Sequence, residues 1–185
     1  MKHLVLALGM IGLAATPLAA ETCPEAPDHR QEINALITAA QSAPDETAGR
    51  IISNEMWQYW ADAPDEYGQD LLDEGMTRRA AYDFEGAVTA FDALVAYCPA
   101  YAEGYNQRAF VNFIRQDYSA ALPNLERAVA LSPRHIAAMT GQAMTLMALE
   151  RPGEAALILR AALELNPWLS ERHLLGALEA AEKEL

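Results

Sequence analysis

The last residues of the chain, SERHLLGALEAAEKEL, sort cleanly into two helical faces. Leu174, Leu175, Leu178 and Ala181 fall on one side, and Glu171, Arg172, Glu179, Glu182 and Lys183 on the other. That three-and-four spacing is the mark of an amphipathic helix. It recurs upstream in stretches separated by proline, which ends a helix because it has no amide to donate and clashes with the preceding turn. Asp83 and Asp117 stand where N-caps are needed, and Pro152 suits a first helical turn. The pattern predicts helices at about 65–81, 84–97, 102–115, 118–131, 136–149 and 152–165, with a further one from Ser170 onward. Two more are predicted from HRQEINALITAAQ and PDETAGRIISNEMWQYWADA, ending at Pro64. They read as a degenerate hairpin stacked on the first of the helical pairs that follow. Trp57, Tyr59 and Trp60 are assigned to packing that hairpin rather than to a ligand.

The helices repeat. Pro99, Pro133 and Pro167 are 34 residues apart, and so are Ala87, Ala121 and Ala155. Gly75, Ala109 and Ala143 keep the same register, as do the bulky Phe91, Leu125 and Leu159. Small residues facing small residues let two helices of one hairpin approach closely. In this period and skeleton the chain resembles the tetratricopeptide repeat, a 34-residue helix–turn–helix unit. The copy AEGYNQRAFVNFIRQDYSAALPNLERAVALSP is the most family-like. Departures occur at Glu74, Arg108 and Gln142, where leucine is usual, and at Arg78, Asn112 and Leu146, where tyrosine is. The expected fold is therefore an all-α solenoid of helical hairpins. Three repeats are expected at 68–101, 102–135 and 136–169, with an N-terminal segment and hairpin at 21–64 and a capping helix at 170–184.

The N-terminus changes the setting. Lys2, the apolar run Leu4 to Ala15, and Pro17 followed by Leu18-Ala19-Ala20 have the layout of a secretory signal peptide over residues 1–20. The expected location is periplasmic or secreted, in a bacterial envelope, with no stable membrane insertion once the signal is removed. The sequence holds 26 acidic and 13 basic residues, a formal net charge of −13. Residues 21–75 carry 13 acids against Arg30 and Arg50 alone. Such a balance gives no footprint for nucleic acid or anionic lipid and favours neutral or basic partners. In a stack of hairpins, Cys98 closes the second helix of repeat one, and Cys23 precedes the first helix near the same edge. In an exported chain with two cysteines, a Cys23–Cys98 disulfide is the economical reading. Intermolecular pairing is the alternative. His29, His135 and His173 show no metal-ligand spacing, and neither a metal nor a cofactor is expected.

The resemblance implies that partners bind the concave face, lined by the first helix of each hairpin. Projecting the register onto that face gives Leu72, Met76 and Arg79 from repeat one. Repeat two gives Asn106, Phe110 and Phe113, and repeat three gives Thr140, Met144 and Met147. This surface is apolar and methionine-rich, suited to an apolar or basic peptide segment or a partner helix. Phe113 and Met147 also suit packing within their own repeats. Some family members clamp a C-terminal carboxylate with Lys, Asn and Arg. The matching positions here are Leu72, Met76, Gln107, Ala137 and Gly141, so that clamp is absent. No nucleophile, metal or phosphate-loop motif is present. The function expected is an exported scaffold or adaptor, possible self-association being the second reading and an enzyme with an unadvertised site the third.

Overall fold

The computed structural model describes residues 22–182. The signal peptide expected over residues 1–20 lies outside them, as does the end of the expected capping helix beyond Glu182. The chain forms α1 (Arg30–Gln41), α2 (Glu46–Trp60), α3 (Glu66–Ala80), α4 (Phe84–Tyr97) and α5 (Ala102–Ile114). It continues with α6 (Tyr118–Leu131), α7 (Ile136–Ala148), α8 (Pro152–Leu165) and α9 (Leu175–Glu182), with no strand among the described residues. Asp45, Asp65, Asp83 and Asp117 each accept a bond from the amide three residues on, capping α2, α3, α4 and α6. Pro152 sits in the first turn of α8. The last helix starts differently from expectation. Ser170–Leu174 is a 3₁₀ turn, Ser170 Oγ donates to Glu171 instead of capping a helix, and α-helix begins only at Leu175.

Helices pair as α3–α4, α5–α6 and α7–α8, and neighbouring hairpins stack through α4–α5 and α6–α7. The close approach inside repeat one needs a glycine. A Cβ at Gly75 would lie 2.4 Å from Cε1 of the fully buried Phe91. The helix exits repeat as faithfully as the prolines. Tyr82, Gln116 and Glu150, 34 residues apart, all hold φ near +60°. In each case the next residue's amide reaches back five residues, from Asp83 to Arg78, Asp117 to Asn112 and Arg151 to Leu146. This is the Schellman closure that usually employs glycine.

Cys23 and Cys98 are disulfide-bonded, with Cα atoms 5.1 Å apart. The N-terminal hairpin, however, does not extend the stack beyond repeat one as expected. α1 and α2 fold across the array onto repeat three. Ile33, Ile37, Met56 and Trp60 cluster with Ile136, Leu165 and Leu169. Asn166 Nδ2 donates to Ser53 Oγ at 2.6 Å, Gln41 Nε2 to the Glu164 carbonyl at 2.7 Å, and Arg172 to Glu46 at 2.7 Å. Gly49 lets α2 run directly over Trp168, whose Cγ would be 2.4 Å from an added Cβ. Only the end of the hairpin meets repeat one, where the Tyr101 hydroxyl donates to the Trp60 carbonyl at 2.8 Å and Ala63 joins the cluster of Leu72 and Phe91. The apolar stripe of the hairpin thus finds its complement at the start of α7 and the end of α8.

Candidate partner-binding site

Because α2 lies opposite α5 and α7, the concave face is a cavity rather than an open trough. Its volume is about 460 Å³. Trp57 and Met56 come from α2, Phe110 and Phe113 from α5, and Thr140 and Met144 from α7. The wall is mainly apolar, and Phe110 and Trp57 are 48% and 37% exposed. Large apolar groups left in contact with solvent around one cavity mark an interaction surface better than scattered ones do.

Six of the nine residues expected on this face line the cavity: Arg79, Asn106, Phe110, Phe113, Thr140 and Met144. Three do not. Leu72 is 0% exposed, in one cluster with Phe91 and Leu94, so no partner can touch it. It lies three residues before Gly75 and therefore shares the face that meets α4. Met76, four residues after Leu72, packs against that same cluster. Met147, four residues after Ala143, packs against the cluster of Leu146, Ala155 and Leu159. The cavity is centred on repeats two and three because α2 covers those repeats. From α3 only Arg79 reaches it. Phe113 has both roles suggested by its register, since it meets Tyr118 edge-on at 5.3 Å and also faces the cavity. The aromatics of α2 divide likewise. Trp60 is buried and stacked on His135 at 4.3 Å, Tyr59 packs beside His29, and Trp57 lines the cavity.

Behind the wall runs a buried polar chain that the repeat register does not announce. Glu103, Gln107 and His135 are each 1% exposed. The Glu103 carboxylate accepts from Gln107 Nε2, from Asn106 Nδ2 at 3.1 Å, and from His135 Nε2 at 2.7 Å. His135 caps α7 by accepting the Ala138 amide at Nδ1, at 3.3 Å. With Nδ1 an acceptor, its ring proton belongs on Nε2, facing the carboxylate. Gln107 Oε1 in turn accepts from Arg79. The Arg79 guanidinium also lies 4.8 Å from the centre of the Phe110 ring, within cation–π range. Burial holds the Arg79 pKa below its ordinary value, and the field of Glu103 partly opposes that shift. Among the described residues no group of three or more His, Cys, Asp or Glu is placed to hold a metal.

No family model matches the chain. A tetratricopeptide-repeat-containing protein of Rhizobium etli is 27% identical over 124 residues, covering 63% of this chain and 57% of its own length. A tetratricopeptide repeat protein 36 homologue of Nematostella vectensis is 38% identical over 65 residues, 35% of this chain and 36% of its own. The chain thus spans at most a little over half of these curated relatives. Among solved structures, the first tetratricopeptide domain of Spaghetti (RPAP3), bound to the HSP90 peptide SRMEEVD, superposes with a TM-score of 0.62. It shares 20% identity and covers 64% of this chain and 94% of that domain. Together with the 34-residue register and the paired helices, these likenesses show that the chain has the tetratricopeptide-type fold, an all-α solenoid of helical hairpins.

Proposed function

We propose that the chain is an exported scaffold or adaptor that binds a protein or peptide partner through its concave face. The observation that carries this reading is the apolar cavity between α2 and the first helices of repeats two and three, with Phe110 and Trp57 left exposed beside it. A partner would seat an apolar side chain there, and Met144 can adapt to its shape. The likeness to a domain that holds a peptide supports this class of function. The excess of acidic residues favours neutral or basic flanks in the partner. Export to an oxidising envelope compartment is supported by the Cys23–Cys98 disulfide, since such bonds are rare in a reducing cytosol.

The test is capture of partners from the native envelope by the wild-type protein and by a Phe110→Glu, Met144→Glu double variant. A partner retained by the wild type and lost by the folded variant supports the site. A partner retained by both places binding elsewhere, on the convex face or on the acidic N-terminal hairpin.

A further inference from the structure

The cavity has one wall that is not apolar. Three arginines among the described residues are partly buried: Arg79, Arg108 and Arg160. Arg108 holds Asp92 at 2.7 Å, and Arg160 holds Glu179 at 2.7 Å. Arg79 contacts no carboxylate among the described residues. Among the described residues it meets the neutral Gln107 amide and the face of Phe110. This occurs in a protein with two acids for every basic residue, where a counter-ion would be easy to supply. Glu103 acts on Arg79 only through space, because its oxygens already receive Gln107, Asn106 and His135. A guanidinium has five N–H donors, and Gln107 takes one of them. The remaining donors belong to a group that helps line the cavity wall and is held in place by Phe110 and a buried hydrogen-bond chain.

We infer that this cavity is a binding site for a small apolar monocarboxylate, its acid on Arg79 and its hydrocarbon body against Phe110, Met144 and Trp57. A volume of about 460 Å³ lies within the roughly 300–1,000 Å³ typical of small-ligand pockets. An apolar lining with a few convergent polar groups is the usual composition of such sites. Arg79 supplies a fork that matches a carboxylate, while Asn106 and Gln107 stand on the same lining. The other charge on the lining, Glu171, belongs to the 3₁₀ turn and repels an anion, which leaves Arg79 as the anchor. The net negative charge of the protein opposes the ligand only at long range, and salt screens it beyond about 8 Å at physiological ionic strength. This inference goes beyond partner binding and stands without any protein partner.

The experiment titrates the full chain, disulfide intact, with decanoate and separately with decanol, following tryptophan fluorescence, to which Trp57 and Trp60 on the cavity lining contribute, and the heat of binding. Decanoate should bind one to one and about tenfold more tightly than decanol, a difference of about 1.4 kcal/mol. Arg79→Gln should bring the two to equal affinity, and Arg79→Lys should restore part of the preference. Circular dichroism and melting identify any variant that has lost its fold, and the wild-type comparison of acid with alcohol decides without a variant. Absent decanoate binding, equal binding of acid and alcohol, or an acid preference that survives Arg79→Gln in a folded protein would each overturn the assignment. None of these results would touch the partner-capture test, which reads a different ligand.

Discussion

Glu103 holds together two repeats and the face on which Trp60 rests, so replacing it with leucine is the sharpest probe of the buried chain. The substitution strands three donors at once: Gln107 Nε2, Asn106 Nδ2 and His135 Nε2–H. Each buried donor left without a partner costs about 1–3 kcal/mol. Asn106 borders the cavity and keeps some exposure, so water can reach part of that deficit, whereas Gln107 and His135 are fully enclosed, His135 beneath Trp60. Leucine recovers about 2 kcal/mol by burying its side chain. The net expectation is a loss of about 3 kcal/mol, read as a lower urea midpoint at unchanged slope. Glu103→Gln keeps the shape and one acceptor oxygen but brings its own NH₂ against the remaining donors, and should lose about 1–2 kcal/mol. A loss below about 1 kcal/mol for leucine, or equal losses for leucine and glutamine, would refute the view that the carboxylate satisfies those donors.

Three further outcomes are expected. Removing the disulfide by Cys23→Ser with Cys98→Ser should lower stability by about 4 kcal/mol, the chain-entropy value for a separation of 75 residues, measured by denaturant unfolding. Gln116→Gly should stabilise by about 0.5–1 kcal/mol, because relief of the left-handed strain at φ 63° exceeds the entropy glycine adds to the unfolded chain; a lower melting temperature would contradict this. Burial pushes the Tyr101 phenol above its ordinary range. Its stabilising effect is therefore complete below about pH 10, where the unfolded chain keeps the proton, and is lost as pH rises beyond that value. Tyr101→Phe should lose about 1 kcal/mol at neutral pH, from the bond to the Trp60 carbonyl, and show a shallower alkaline decline in stability.

The repeat was legible because it is written in small residues and prolines whose effects are local. Gly75, Ala87 and Pro99 each act on neighbours within a turn or a hairpin, and helices α3 to α8 fall within a residue or so of their expected bounds. The αL exits were hidden, since Tyr82, Gln116 and Glu150 carry none of the glycine signal of that conformation. On the concave face, register alone placed Phe110, Met144 and Arg79, but it could not see that Leu72 turns onto Phe91. Trp57 and Met56 reach the cavity through the long-range fold-back of α2, which brings them to the same lining as Asn166 and Leu169 at the end of repeat three. Their only sequence signal was an α2 apolar at Ile51, Trp57 and Trp60 on more than one face, which exceeds what a single stacking contact needs.

That fold-back alters how the array should behave. A solenoid whose units touch only their neighbours gains stability from independent repeats and adjacent interfaces, and can fray from either end. Here the N-terminal segment is fixed to repeat one by Cys23–Cys98, while α1 and α2 are fixed to repeat three through Gly49 on Trp168, Ser53 with Asn166, and Glu46 with Arg172. The two ends of the array are thereby joined by a strap. Repeat three cannot separate without exposing Met56, Ile37 and Ile136, and repeat one cannot separate without straining the covalent link. The same strap forms one wall of the cavity, so the site's volume depends on the curvature that the strap holds. Binding in the cavity and cooperative stability of the array are therefore coupled through one helix, α2.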